Sequence, residues 1–410
     1  MLDQYVFEAL NNPGNAKISP GIERIVQVLL VLNNPQHKYK VIHITGSNGK
    51  GSTASFIETG LVHAGYKVGK FTSPHIKTIN ESVTINHEPI TNTDLESNFF
   101  LIEDVCKRLK IILSPFEMLT VIMFNYCASS GIDYLVLEVG MGGIDDATNV
   151  VNSLVSIITN ISLEHTKYLG NSLADIAKAK AGIIKSGLTI IADNAPELFA
   201  EVSAQTSNYI NVLNYYDFNV SSNYDKFQTI IKLNNVDGTA ETFTLNLFGY
   251  FQAYNFLCAY HTLKYLNINS KSISYAAEYT KNPGRFDVRG YNPFLILDAT
   301  HNLAGANSLV NSLRTRFNPD DVVIISSILV DKDIPNMLYE FSKIANNIIC
   351  TTISNNSRAL KAKDLAKMAS IYFDNIIFED NPNRSLEIAK NMNKKVILIT
   401  GSIYLLSYFY

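Results

Sequence analysis

Cysteine is scarce in this 410-residue chain: Cys106, Cys127, Cys258 and Cys350 lie far apart and form no C-x-x-C pair. That spacing excludes a disulfide framework and a cysteine-bound metal site, and leaves small buried hydrophobes in a reducing compartment. Long apolar runs are missing too; none reaches the roughly 20 residues of a spanning helix. Charge of either sign is sparse, at 17% of residues and a net −3, which gives no electrostatic footprint for nucleic acid or an anionic membrane. The opening stretch, MLDQYVFEALNN, carries acids early and lacks the basic-then-apolar order of a secretory signal, so a cytoplasmic location is expected. Internal repeats and low-complexity tracts are absent.

What is present is a chain of ordinary globular composition, 47% hydrophobic, long enough for two or three domains. Apolar runs alternate with helix-like segments, the signature of α/β architecture with a largely parallel sheet. YLVLEVG (134–140), LVSIITNI (154–161) and GLTIIAD (187–193) read as strands, and 172–185 as a helix. Residues 208–245, rich in Tyr and Asn, read as short antiparallel strands. After NPGRFDV (282–288) five apolar runs recur between helix-like segments, enough for a separate doubly wound domain. We therefore expect a P-loop-type N-terminal domain with a mostly parallel sheet over 1–281 and a smaller doubly wound α/β domain over 282–410.

The most informative stretch is VIHITGSNGKGST (41–53). A β-branched run stops at Gly46, Gly49, Lys50, Gly51 and Ser52, and helical spacing resumes at Phe56, Ile57 and Leu61. Glycines let backbone N–H groups converge, a helix start adds partial positive charge, Lys50 adds a full one, and the Ser52 and Thr53 hydroxyls suit magnesium. The strict pattern G-x-x-x-x-G-K-[ST] fails twice, at Ile44 and where Gly51 separates Lys50 from Ser52. Nucleotide phosphate binding is expected; a glycine-rich turn with a surface lysine is the alternative.

Ligands of α/β sheets bind beyond the carboxyl ends of strands, so polar residues there carry information. Glu138 lies in an apolar strand just before three glycines and needs a lysine partner or a metal. Glu164 and His165 follow another strand end; His165 reads equally as a core histidine or a metal ligand. Lys180, on a helix with several lysines, reads by composition as a solvated residue. Arg285 and Asp287 suit either a phosphate contact or a salt-bridged linker. Asp298, His301 and Asn302 end a strand, where an aspartate fits ribose hydroxyls or a helix cap.

Taken together, SNGKGST, TSPHI, PFEMLTV, LEVGMGGIDDATN, LEHTKYLG, AKAGIIK, NPGRFDV, LDATHN, LVDKDI, SRALKAKDLA and ITGSIYLL stand in the order in which they occur in the ATP-dependent Mur ligase superfamily. Within it the chain resembles, nearly end to end, the folylpolyglutamate synthases, many of them also dihydrofolate synthases. The resemblance implies that Asn48, Gly49, Lys50, Gly51 and Ser52 hold ATP phosphates, with Asn255, Arg285 and Asp298 as further nucleotide contacts and His301 near the transferred phosphate. Ser73, Glu138 and His165 match metal-holding positions, and Lys180 matches a lysine that becomes carbamylated, which reverses the reading from composition. Phe116, Glu117, Asp145, Asp146 and Ala147 match the pterin region, with Pro20, Gly21 and Ile22 as its second flank. The implied cofactors are ATP and two magnesium ions, one supported by the carbamate, with a monovalent cation as a further candidate; the implied partners are small molecules bound by a monomer.

The implied reaction phosphorylates a substrate carboxyl, and the amine of L-glutamate then displaces phosphate from the acyl phosphate. Closure about 281–285 is expected to assemble the site. Lys180→Ala is expected to abolish turnover with the fold intact, as a solvated helix position would allow. Departures from the family pattern fall near the pterin region: Ile144 and Ser82 stand where arginines are usual, and Asp145 adds a negative charge. Their expected effect is on dihydropteroate affinity or on the balance of the two activities. Glu164 and Thr300 are further departures. A cell-wall Mur ligase would need a further N-terminal domain where only about 40 residues precede Val41. A non-catalytic nucleotide-binding module has no use for the metal set, and a simple kinase would not need glutamate.

Overall fold

The computed structural model describes residues 2–11, 21–215, 217–234, 239–354 and 356–410. They divide into two compact units: Met1–Phe218, Lys232–Phe243 and Tyr254–Thr280 make the first, and Asn219–Ile231, Thr244–Ala253 and Lys281–Tyr410 the second. The chain thus enters the second unit twice before Lys281.

In the first unit, strands β1 (Lys40–Thr45), β2 (Val68–Phe71), β3 (Val83–Ile85), β4 (Glu88–Pro89), β5 (Tyr134–Glu138), β6 (Val155–Ile158), β7 (Leu188–Ile191) and β8 (Tyr209–Asn211) form one sheet in the order β4-β3-β2-β5-β1-β6-β7-β8. β1, β2, β5, β6, β7 and β8 run parallel; β3 and β4 add an antiparallel edge. Residues 209–211 were expected in an antiparallel set, but they pair in parallel with β7, because β8 continues the series of crossovers. The interior strands are buried along nearly their whole length, which is why they read as continuous apolar runs instead of alternating ones. Helices Pro115–Ser129 and Asn92–Leu109 and the helix Glu23–Val31 cover one core, built from residues such as Phe71, Val121, Phe124 and Leu137.

The connection after β1 leads to β2 on one side of the sheet, and the one after β6 leads to β7 on the other. The sheet's topological switch therefore lies beside β1, where its loop must emerge into a crevice. Strands β9 (Asp217–Asn223), β10 (Gln228–Asn234) and β11 (Ala240–Leu245) make a small sheet of their own, in the order β11-β10-β9.

The second unit carries a six-stranded sheet of β12 (Asp287–Tyr291), β13 (Phe294–Leu297), β14 (Val322–Ser326), β15 (Asn347–Cys350), β16 (Asn375–Phe378) and β17 (Val396–Thr400), ordered β12-β13-β17-β14-β15-β16. All its pairs are parallel except β12 with β13. Its own core gathers Phe227, Phe248 and Phe286 with Leu309, Phe341 and Leu398. Both units are therefore α/β.

Candidate active site

β1 ends at Thr45, and helix Lys50–His63 begins five residues on. Two left-handed glycines make that turn: Gly46 at φ +147° and Gly49 at φ +90°. A Cβ on Gly46 would fall 1.8 Å from Thr159 Oγ1, and one on Gly49 would fall 2.2 Å from Asn255 Oδ1. Only glycine fits either place, and Asn255, itself buried, is set directly against the loop. The end of β6 staples the loop. Asn48 N–H donates to Asn160 Oδ1 at 2.9 Å, while Asn160 Nδ2 and Thr159 Oγ1 donate to Asn48 O at 3.0 and 2.6 Å. Ser47 N donates to Asn160 O and Ser162 N to Ser47 Oγ. Lys50 folds back so that Nζ donates to Gly46 O at 2.7 Å. Ser52 is buried in the first helical turn, behind Gly51.

The turn after β5 meets this loop. Thr45 Oγ1 donates to Gly142 O at 2.6 Å. Gly143 and Gly182 have no room for a Cβ: the first would meet Ala179 O at 2.7 Å and the second Ile144 Cβ at 2.4 Å. The turn thus packs on the last turn of helix Leu173–Ala181, which carries Lys180. One cleft results, lined by Thr45, Gly46, Lys50, residues 139–142, Glu164, His165 and Lys180.

Lys180 is 1% exposed and pairs with Glu164 at 2.8 Å. The reading of Lys180 as a solvated helix residue is therefore corrected: the tight approach of residues 143–144 turns this helix face inward. The inference that Lys180→Ala would leave the fold untouched falls with it. Burial, opposed by Glu164 and reinforced by Lys50, lowers the Lys180 pKa to about 8. Burial would raise that of Glu164, but Lys180 and Lys50 outweigh it and hold the carboxyl below its usual range. Glu164 is the site residue that the sequence left unassigned.

Glu138 is 4% exposed and lies opposite Ile44 at the end of β5; Ser73 follows β2, whose Phe71 is opposite Leu137, so both belong to the same edge of the sheet. His165 is exposed and left-handed, at φ +47°. Among the described residues no three His, Cys, Asp or Glu side chains form a metal cluster. The Glu138 carboxylate and the Ser73 hydroxyl are oxygen donors of the kind magnesium takes when it keeps several waters and is shared with phosphates.

The pterin candidates are largely engaged by the protein itself. Glu117 caps its own helix, accepting from Ser114 N at 2.8 Å, and pairs with Arg24 at 2.9 Å. Through Arg24 the Gly21–Ile22 end of one helix meets the Phe116–Glu117 end of another, an adjacency that separations of nearly 100 residues conceal. Pro20 lies outside the described residues. Phe116 packs on Gly140, where a Cβ would fall 2.4 Å from the ring. Asp146 Oδ2 accepts from Met141 N at 2.9 Å and Oδ1 from Thr148 N and Oγ1, and Thr148 Oγ1 accepts from His43 Nε2 at 2.9 Å. Asp146 thus organises its turn; burial raises its pKa against those bonds. Ala147 is buried, whereas Ile144 and Asp145 are exposed.

In the second unit, Asp298 Oδ2 accepts from Phe286 N at 2.8 Å and Oδ1 from Thr300 N at 2.9 Å. Burial raises the Asp298 pKa, with Thr300 and Arg285 opposing. His301 Nδ1 donates to Ala299 O at 2.9 Å, and Asn302 caps the next helix, with Oδ1 accepting from Gly305 N.

Residues 114–263 match the Mur ligase middle domain and 284–403 the Mur ligase glutamate ligase domain. The chain is 30% identical to the dihydrofolate synthase/folylpolyglutamate synthase of Bacillus subtilis, over 95% of this chain and 94% of that protein. It is also 30% identical to the folylpolyglutamate synthase of Lacticaseibacillus casei, over 94% and 92%. Among solved structures it is similar to E. coli FolC in complex with DHPP and ADP (TM-score 0.89, 26% identity, 99% of this chain and 95% of that one). It is likewise similar to the Mycobacterium tuberculosis folylpolyglutamate synthase complexed with ADP and AMPPCP (TM-score 0.86, 27% identity, 95% and 94%).

Proposed function

The chain belongs to the dihydrofolate synthase/folylpolyglutamate synthase family of Mur ligases, and from that premise we propose that it joins L-glutamate to dihydropteroate and/or to folate (poly)glutamates at the expense of ATP. The observation that carries the reading is the cleft where Lys50, Glu164, His165 and Lys180 face a glycine loop at the sheet's topological switch. A helix N-terminus and the Lys50 ammonium there favour a polyphosphate.

The substrate carboxylate attacks the γ-phosphorus of ATP, ADP leaves, and an acyl phosphate forms. The glutamate amine then attacks its carbonyl carbon, and inorganic phosphate leaves. Protein groups supply position and charge instead of covalent chemistry. Lys50 exchanges the Gly46 carbonyl for a phosphate oxygen. Asn48, Gly49, Gly51, Ser52 and Asn255 shape the loop around the phosphates, and Arg285, Asp298 and His301 are the contacts assigned to the second unit. Ser73, Glu138 and His165 would hold magnesium, which neutralises phosphate charge and fixes its orientation. Lys180, brought by burial toward the neutral amine that captures CO₂, would carry a carbamate as a further oxygen ligand. Carbon-13 bicarbonate is expected to give a carbamate resonance that Lys180→Ala lacks.

Phosphate release with ATP, magnesium and L-glutamate tests the whole reading, run with 7,8-dihydropteroate, with a tetrahydrofolate, and with neither. Glutamate-dependent release is expected with both pterins and not without them. Release with the folate alone would mean that the Ile144–Asp145 turn has lost the first activity. No glutamate-dependent release with either would refute the assignment.

A further inference from the structure

Arg285 sits in a turn held on both sides. Gly284 before it is left-handed at φ +71°, and Phe286 after it is left-handed at φ +50°. A phenylalanine in that conformation is costly and persists only where the surroundings fix it. They do so here. Phe286 is buried against Phe227 and Phe248, with ring centroids at 5.5 and 4.7 Å, and its N–H donates to Asp298. The carbonyl of Gly284 accepts from Ala299 N at 2.7 Å. One bond comes from far along the chain: Gly284 N–H donates to the hydroxyl of Tyr410, and that hydroxyl donates to Asp287 Oδ2. The Tyr410 ring is itself placed, because Arg289 stacks on it at 4.2 Å while pairing with Asp287 at 3.0 Å.

We propose that Tyr410 is a positioning residue for Arg285: its hydroxyl, accepting from Gly284 and donating to Asp287, ties the residues on either side of Arg285 and aims the guanidinium at the nucleotide. The inference rests on the reading of Arg285 as a nucleotide contact. Without the hydroxyl the Gly284 N–H loses its acceptor and the turn loses its link to β12. The guanidinium then samples directions that do not meet a phosphate, so the loss falls on ATP binding before it falls on chemistry.

Tyr410→Phe keeps the ring beside Arg289 and removes the hydrogen bonds of the hydroxyl, those with Gly284, Asp287 and the Arg289 side chain. Measured on the full chain, it is expected to raise the KM for ATP about tenfold, the equivalent of one hydrogen bond of roughly 1.4 kcal/mol, with kcat changed less than twofold. Arg285→Ala is expected to raise the same KM more, and Tyr410→Phe should add nothing in the Arg285→Ala background. A Tyr410→Phe enzyme with unchanged KM beside an impaired Arg285→Ala enzyme would overturn the positioning role and leave the Arg285 reading intact. So would a lower kcat at constant KM, or additive effects in the double variant. An unimpaired Arg285→Ala enzyme would overturn the reading of Arg285 as a nucleotide contact, and the inference with it.

Discussion

An ammonium group as enclosed as that of Lys180 is stable because Glu164 faces it at 2.8 Å. Lys180→Ala would leave that half-buried carboxylate without its lysine partner, so it is expected to lose turnover and also about 2–3 kcal/mol of stability. Adding Glu164→Gln should restore part of the stability and none of the turnover, as urea melts and phosphate release would reveal. Glu58 gives a second case, outside the cleft. It is fully buried on the helix that starts at the phosphate loop, with Oε2 at 2.5 Å from Lys70 and 3.0 Å from His87. Burial alone would raise its pKa, but the Lys70 charge and the hydrogen bonds from His87 and Lys70 bring it from 4.5 down to about 2. A folded-state value below the unfolded one adds stability above about pH 4.5, and that stability drains away as pH falls toward 2. Full loss corresponds to roughly 3 kcal/mol. Glu58→Gln is expected to flatten that acid limb in melts between pH 2 and 6 and to lower stability at neutrality; an unchanged limb would place the acid sensitivity elsewhere.

Between elements, the reciprocal amide pair of Asn48 and Asn160 carries the argument. It joins the β1 turn to the end of β6 across more than 100 residues of sequence. Asn160→Ala is expected to raise the KM for ATP by about tenfold, since both polar groups of Asn48 then lose a partner. An unchanged KM would argue against the pairing. The β1 strand, its glycine turn and the next helix were legible in residues 41–63 because composition, turn and period change within a dozen residues. The five apolar runs of the C-terminal series became β13 to β17 for the same local reason. β3, β4 and β12 were not legible: strands of two to five residues with mixed burial carry no measurable period. Position marked Glu164 but not its pairing with Lys180, and it did not mark Arg24, whose partner Glu117 lies on a helix 93 residues away. Lys180 was misread from composition because the approach of Gly182 to Ile144, which turns its helix inward, leaves no trace in a pattern of lysines.

Over the whole molecule, the two units have separate cores, one around Phe124 and Leu137 and one around Phe341 and Leu398. Calorimetry is accordingly expected to resolve two transitions instead of one. Phe124→Ala should lower one of them, and Phe341→Ala the other, by about 3–5 kcal/mol of unit stability. A single transition moved equally by both variants would mean that the units melt as one. The path of the chain has a different consequence, which concerns the order of events during synthesis. Asn255, which fills the space beside Gly49, is made 206 residues after it. A ribosome that has finished all eight strands of the first sheet has therefore still not supplied the residue that closes the phosphate loop, and must translate two stretches of the second unit before it does. Nucleotide affinity should accordingly arrive late on the growing chain, well after the first sheet has emerged, and nascent chains stalled before Tyr254 should be open to proteases at the glycine loop after β1.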